Sequence, residues 1–169
     1  MAAAAIGFAA GLAAPCPAGG AGAVFGWLLL ALGALDLAAL WLPDRLVAPL
    51  AIVGVASGAA GCAPSMIERV IGGVAGFASL WLIGWTYRRV RGREGLGGGD
   101  PKLFGAIGLW LGWRLLPAVL LLASLVGLGV VAWRLATGRP ASAGDALPLG
   151  TLLAVAAYPA WLAMVTWPA

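Results

Sequence analysis

The chain has 169 residues, 63% of them apolar and only 9% charged, with no histidine and two cysteines. A soluble domain carries about 25% charged residues, and a mean hydropathy of +1.02 sets most side chains against something other than water, which excludes a soluble globular domain and a disordered chain alike. Without histidine there is no Ser-His-Asp triad and no His-bearing zinc site, and Cys16 and Cys62, which form no CxxC pair, cannot build a four-cysteine zinc site within the chain.

The apolar runs are long and continuous. A membrane β-barrel would alternate apolar and polar residues in segments of about ten. The fold class is therefore all-α, a polytopic transmembrane helical bundle of six to seven spans, in one domain covering residues 1–169. A helix needs roughly 20 apolar residues to cross the hydrocarbon core. By that ruler the first span is residues 2–14; it has no basic n-region and so reads as a helix of the mature chain, not a signal peptide. Pro15-Cys16-Pro17 make a turn. The second span, 20–42, carries Asp36 and closes at Leu42-Pro43-Asp44, where Asp44 is expected to cap the third, 46–61. Gly61 through Ser65 form another turn, with Ser65 the N-cap of the fourth span, 66–87. A glycine-rich segment then leads into a short fifth span, 101–113. The sixth is 115–135, and a polar loop from Gly138 through Asp145 precedes the last, 147–167. The first and fifth are short, which is tolerable where a segment is re-entrant or shielded by protein.

Basic residues fall in alternate loops. Arg45, Arg88, Arg89, Arg91, Arg93, Lys102, Arg134 and Arg139 lie on one side, and Arg69 and Arg114 on the other. The positive-inside rule makes the first set cytoplasmic, so the N-terminus is cytoplasmic and the C-terminus external. The same rule accounts for the pI near 9.8 without a nucleic-acid partner; the partner it implies is the lipid bilayer. Cys16 and Cys62 then sit in external turns, where they either pair as a disulfide in an oxidising periplasm or remain two small unpaired side chains.

Acid–base chemistry is left to six carboxylates: Asp36, Asp44, Glu68, Glu94, Asp100 and Asp145. Asp36 lies inside an apolar span, where an ionisable group marks function or a hydrogen bond between helices. Asp100 closes Gly95-Leu96-Gly97-Gly98-Gly99 and is followed by Pro101, which fits a first helical turn. It reads as a helix cap, yet Gly97, Gly98 and Gly99 are more glycine than a cap needs and allow another backbone to approach closely. The loop lacks the GxxxxGK[ST] spacing of a phosphate-binding loop. Two carboxylates at one membrane face can share a proton and activate a water between them, a chemistry that needs no histidine, metal or cofactor. Of the others, Glu68 and Arg69 are expected to pair with each other, and Glu94 sits among arginines.

The run Gly92-Arg93-Glu94-Gly95-Leu96-Gly97-Gly98-Gly99-Asp100-Pro101-Lys102-Leu103 resembles the GxGD segment of bacterial type IV prepilin peptidases. Asp36 with Leu42-Pro43-Asp44 resembles their first-aspartate segment, and Leu116-Pro117 and Leu147-Pro148-Leu149-Gly150 resemble later parts of the family. The resemblance implies an intramembrane aspartyl protease of the bacterial inner membrane, distantly like the presenilins. It implies Asp36 and Asp100 as the catalytic pair, with Gly97, Gly98, Gly99, Lys102, Asp44 and Glu94 around them. The implied reaction removes a short basic leader from prepilins or pseudopilins, after a glycine and just before an apolar helix. Many members also carry a domain with two CxxC pairs and N-methylate the new terminus using S-adenosylmethionine. No such pairs occur here, so a peptidase-only form without zinc or methyltransferase activity is expected. Pro101 replaces a residue that is usually not proline, which stiffens the loop beside Asp100. Two other classes stay open: a transporter in which Asp36 relays a proton, against which stands the lack of a visible repeat, and an inactive assembly protein of the same fold.

Overall fold

The computed structural model describes residues 5–7, 18–93, 95–138 and 148–167. Every regular element among them is helical. Residues 5–7 are helical, followed by α1 (Ala18–Ala39), α2 (Asp44–Ala59), α3 (Met66–Arg91), α4 (Asp100–Leu111), α5 (Leu116–Ala136) and α6 (Leu149–Thr166). Four of these, α1, α3, α5 and α6, are long and apolar enough to cross a membrane, and the chain is a polytopic helical membrane protein. The expected spans 46–61 and 101–113 are helices, but α2 has 16 residues and α4 has 12. They rise only about 24 and 18 Å, short of the roughly 30 Å hydrocarbon core. The expected first span, 2–14, lies mostly outside the described residues.

The element ends have local causes. Leu40 takes φ of +50°, a left-handed conformation that ends α1 ahead of residue 42. The turn sends Leu42 back into the bundle, where it is buried. Ser65 caps α3 as its sequence predicts: its hydroxyl accepts from the Glu68 N–H at 3.4 Å, and its own N–H donates to the Glu68 carboxylate at 3.2 Å. Such a capping box contributes about 1 kcal/mol. Gly92, at φ +67°, ends α3 in the left-handed region that glycine occupies without strain.

α4 is the axis of the bundle. It packs most extensively on α3 and also meets α2, α5 and α6. Its side of the core is Leu103, Ile107, Trp110 and Leu111, all buried. Trp110 stacks on Phe25 of α1 at 4.5 Å and donates to the Leu50 carbonyl of α2 at 2.8 Å. The contact with α3 is backbone on backbone. A Cβ at Gly108 would run into the Gly72 carbonyl, and one at Gly76 would meet the Phe104 carbonyl at 2.8 Å. In lipid, where burial of apolar surface drives little, such small-residue contacts supply the cohesion through van der Waals packing. Successive helices alternate in direction. The C-terminal ends of α1 and α3 and the N-terminal ends of α2, α4 and α6 therefore meet at one end of the molecule.

Candidate active site

Asp36 and Asp100 are the buried carboxylates among the described residues, with 4% and 6% of their surface exposed. Asp36 projects from the last turn of α1 onto the start of α6. Its Oδ2 accepts from the Thr151 backbone N–H at 2.7 Å. The Thr151 hydroxyl lies 3.2 Å from the same oxygen and donates to the Gly33 carbonyl at 2.8 Å. Thr151 is in the first turn of α6, whose leading N–H groups have no partner within their own helix. Asp36 thus caps α6 from another helix, at the positive end of its dipole. Gly150 makes this approach possible, since a Cβ there would stand 3.0 Å from the Asp36 Cγ.

Asp100 opens α4 and is held by the glycine loop behind it. Its Oδ2 accepts from the Gly97 N–H at 3.1 Å, and a Cβ at Gly97 would come within 2.9 Å of that oxygen. Asp100 lies outside the four membrane-spanning helices. Burial, and next the negative charge of Asp36, push its carboxyl up from 3.8 to about 6, against the opposing hydrogen bond from Gly97. The two acids therefore feel each other. Leu42 stands between their backbones: a Cβ on Gly99 would meet Leu42 Cβ at 2.7 Å, and one on Gly150 would meet Leu42 Cδ1 at 2.9 Å.

Two clefts open beside the start of α4, and neither is lined by Asp36 or Asp100. A cleft of about 320 Å³ runs between α3 and the glycine loop, lined by Leu80, Trp81 and Trp85 on one side and Gly97 and Gly98 on the other. A wider groove of about 680 Å³, mostly apolar, lies between α2, α3 and α4, with Val47, Val74 and Phe77 in its walls. Lys102 borders both. No atom lies within 4 Å of where a Cβ on Gly98 would point, so the loop is open there to an incoming chain.

The remaining expected residues fall as follows. Asp44 does not cap α2, because the helix begins at Asp44 itself with Pro43 as the N-cap and no side-chain bond. Instead, both its oxygens accept from the Lys102 Nζ at 2.8 Å, an ion pair on the molecular surface. Glu94, Cys16 and Asp145 lie outside the described residues. Cys62 has no disulfide partner among the described residues, and the expected pairing with Cys16 falls outside them. Among the described residues no three of Asp, Glu and Cys gather as a metal-binding set. Glu68 and Arg69 do not pair: adjacent helical residues point apart. Glu68 binds Arg114 at 3.1 Å, while Arg69 turns inward and is 1% exposed. Sequence reasoning misses Thr151 and the packing of Leu42, and it pairs Arg69 with Glu68 in place of the carbonyls it binds. Thr151 meets Asp36 only through the fold, and its one signal is its place in the first turn after Leu147-Pro148-Leu149-Gly150.

The model of the type IV leader peptidase family matches residues 23–132. The prepilin leader peptidase/N-methyltransferase of Pseudomonas aeruginosa is 41% identical over 141 residues, covering 82% of this chain and 47% of that protein. Proteins of the same name from Aeromonas hydrophila and Burkholderia pseudomallei (strain K96243) are 40% and 43% identical, each over 82% of this chain and over 47% and 45% of their own lengths. The chain thus spans about half the length of the curated relatives it matches. No solved structure matches it.

Proposed function

Because the chain belongs to the type IV leader peptidase family, we propose that it is an aspartic endopeptidase that removes the leader peptide from prepilins or pseudopilins, with Asp36 and Asp100 as its catalytic pair. The observation that carries this reading is two buried carboxylates, far apart in sequence, brought to one end of the bundle, where Leu42 packs on both Gly99 and Gly150 beside them. Like charges this close share a proton. The ionised member draws a proton from water, and the hydroxide formed attacks the scissile carbonyl. The protonated member donates its proton to the carbonyl oxygen, the other passes the proton it took from water to the leaving amine, and collapse of the gem-diol returns one proton to the pair. The pair titrates as a unit, so either aspartate holds the proton at different points of the cycle.

In this reading the glycine loop receives the substrate backbone, with Gly97 and Gly98 facing the smaller cleft, and Lys102 and Asp44 border the entry. The protein sits in a bacterial inner membrane with its N-terminus and its catalytic end cytoplasmic. The arginines at the end of α3 support this orientation. The test is cleavage of a purified prepilin in liposomes by wild type, Asp36→Asn and Asp100→Asn. Both variants are expected to insert and fold while leaving the substrate uncut. A variant that still releases the leader at the wild-type rate removes its aspartate from the catalytic pair.

A further inference from the structure

Arg69 is a buried cation with no carboxylate among its hydrogen-bond partners. It lies one turn inside α3, at the end of the bundle remote from the aspartates, and all its hydrogen bonds go to main-chain carbonyls. Nε donates to Pro64 at 3.0 Å, and Nη1 donates to Gly54 and to Leu109 at 2.8 Å each. Nη2 donates to Cys62 at 3.2 Å and to Ala63 at 2.7 Å. A guanidinium has five N–H donors, and here each has an acceptor. Gly54 lies toward the C-terminal end of α2, and Leu109 lies in the last turn of α4. The Gly54 carbonyl also accepts from the Ser57 hydroxyl at 2.9 Å, whereas Leu109 is among the last four carbonyls of α4, which lack helical partners and carry negative partial charge; one cation serves both helices.

This matters because α2 and α4 carry the site at their other ends. Asp100 is nine residues before Leu109, or about 13.5 Å along α4, and a helix transmits axial displacement. The α3–α4 contact is glycine against backbone at Gly72 and Gly76, with the Leu109 side chain seated on Gly73 and Phe77 on Gly105. These contacts are largely apolar, and Arg69 adds a directional hydrogen bond across them to the Leu109 carbonyl. We infer that Arg69 is a positioning residue for the aspartate pair: by tying α3 to the carbonyl ends of α2 and α4, it fixes the height of α4 and so holds Asp100 level with Asp36. The Trp110 bond to Leu50 locks α4 to α2 alone, and the Trp113 N–H bond to the Glu68 carbonyl acts beyond the end of α4. Arg69 joins all three helices at one point.

The kinetic arm of the test rests on the peptidase reading, and a spectroscopic arm does not. Arg69→Lys keeps the charge but loses the planar fork and two donors. Arg69→Gln keeps a neutral donor. Gly58→Ala retains the arginine but displaces it, because the new Cβ would meet Arg69 Cδ at 2.6 Å; it serves where the Arg69 variants do not insert. In folded variant protein, kcat on a prepilin is expected to fall on the order of 100-fold, as for a misplacement of about 1 Å, with KM unchanged. The Asp100 carboxyl, followed by carbon-13 aspartate NMR, should titrate at a lower pH than it does in wild type, since it leaves the field of Asp36. A kcat that falls only with the folded fraction overturns the inference, as does an Asp100 titration identical to wild type. If wild type cuts no prepilin, the peptidase reading fails and the NMR titration alone decides the role of Arg69.

Discussion

Asp100 trades stability for its placement, and the sign of that trade is testable. Its carboxyl titrates at about 6 in the folded chain against 3.8 for an ordinary aspartate. Between these values the folded state binds more proton than the unfolded state, so stability falls as the pH rises through that window. Above about pH 6 the full penalty is present, and below about pH 4 it is absent. Asp100→Asn removes the charge and can still accept from Gly97. It is expected to unfold at a higher temperature than wild type at pH 7.5, with the gap closing at pH 4, as read by thermal unfolding in detergent. Equal Tm values at pH 7.5 would show that the burial and charge effects do not reach stability. Thr151→Val tests the neighbouring acid. It keeps the backbone N–H bond to Asp36 but removes the hydroxyl that lies against Asp36 and Gly33. Processing should drop about tenfold, near the 1–1.5 kcal/mol of one hydrogen bond, with little change in KM. Both aspartates stood out in the sequence, because a carboxylate inside an apolar span and one closing a run of glycines are each rare. Thr151 did not, since its partner is 115 positions away. Arg69 was misassigned to Glu68 because sequence adjacency was read as contact, whereas the helix turns neighbours apart.

At the scale of elements, the sequence marked where helices lie better than it marked where they end. Among the described residues, proline and glycine punctuation puts each break within a few residues of its observed position. The largest difference at the site is the end of α1. No sequence rule expects a leucine to take a left-handed conformation, yet Leu40 does so, and the resulting turn delivers Leu42 to Gly99 and Gly150. The glycines of α3 and α4 were legible as residues but not as an interface, because which glycines face a neighbour depends on how the two helices are rotated. The structure separates them. Gly108→Ala drives a methyl into the Gly72 backbone, which cannot rotate away, and is expected to destabilise by about 1–3 kcal/mol. Gly129 of α5 has nothing within 4 Å of its would-be Cβ, so Gly129→Ala should be neutral or stabilise by up to about 1 kcal/mol through helix propensity. Thermal unfolding of the two variants side by side checks this. Equal losses would mean that the close α3–α4 contact is absent.

Across the whole molecule, the site is recessed below the end of α3. Gly108 faces Gly72 and Phe104 faces Gly76, so α4 runs antiparallel to α3 and Asp100 lies level with about Leu80, which lines the same cleft as Pro101. Arg88 is eight residues further along α3, or about 12 Å. The glycine loop therefore dips back along the last turns of α3, with Leu96 against Gly84 and Gly95 against Tyr87. Backbone groups folded back beside α3 need protein partners or water, and the cleft beside Gly97 and Gly98 leaves room for water there. Hydropathy could not reveal this, because a short helix preceded by a loop reads alike whether the loop lies above the membrane or folds back into it. If the loop is open from one side only, Gly98→Cys in a background lacking Cys16 and Cys62 should react with a membrane-impermeant thiol reagent in inside-out vesicles and not in spheroplasts. Arg114→Cys, whose side chain is exposed at the opposite end, should show the reverse pattern. Labelling of both from the same side would contradict the alternation of helices on which the site is built. Labelling of Gly98→Cys from neither side would leave the aspartates without the water that hydrolysis consumes.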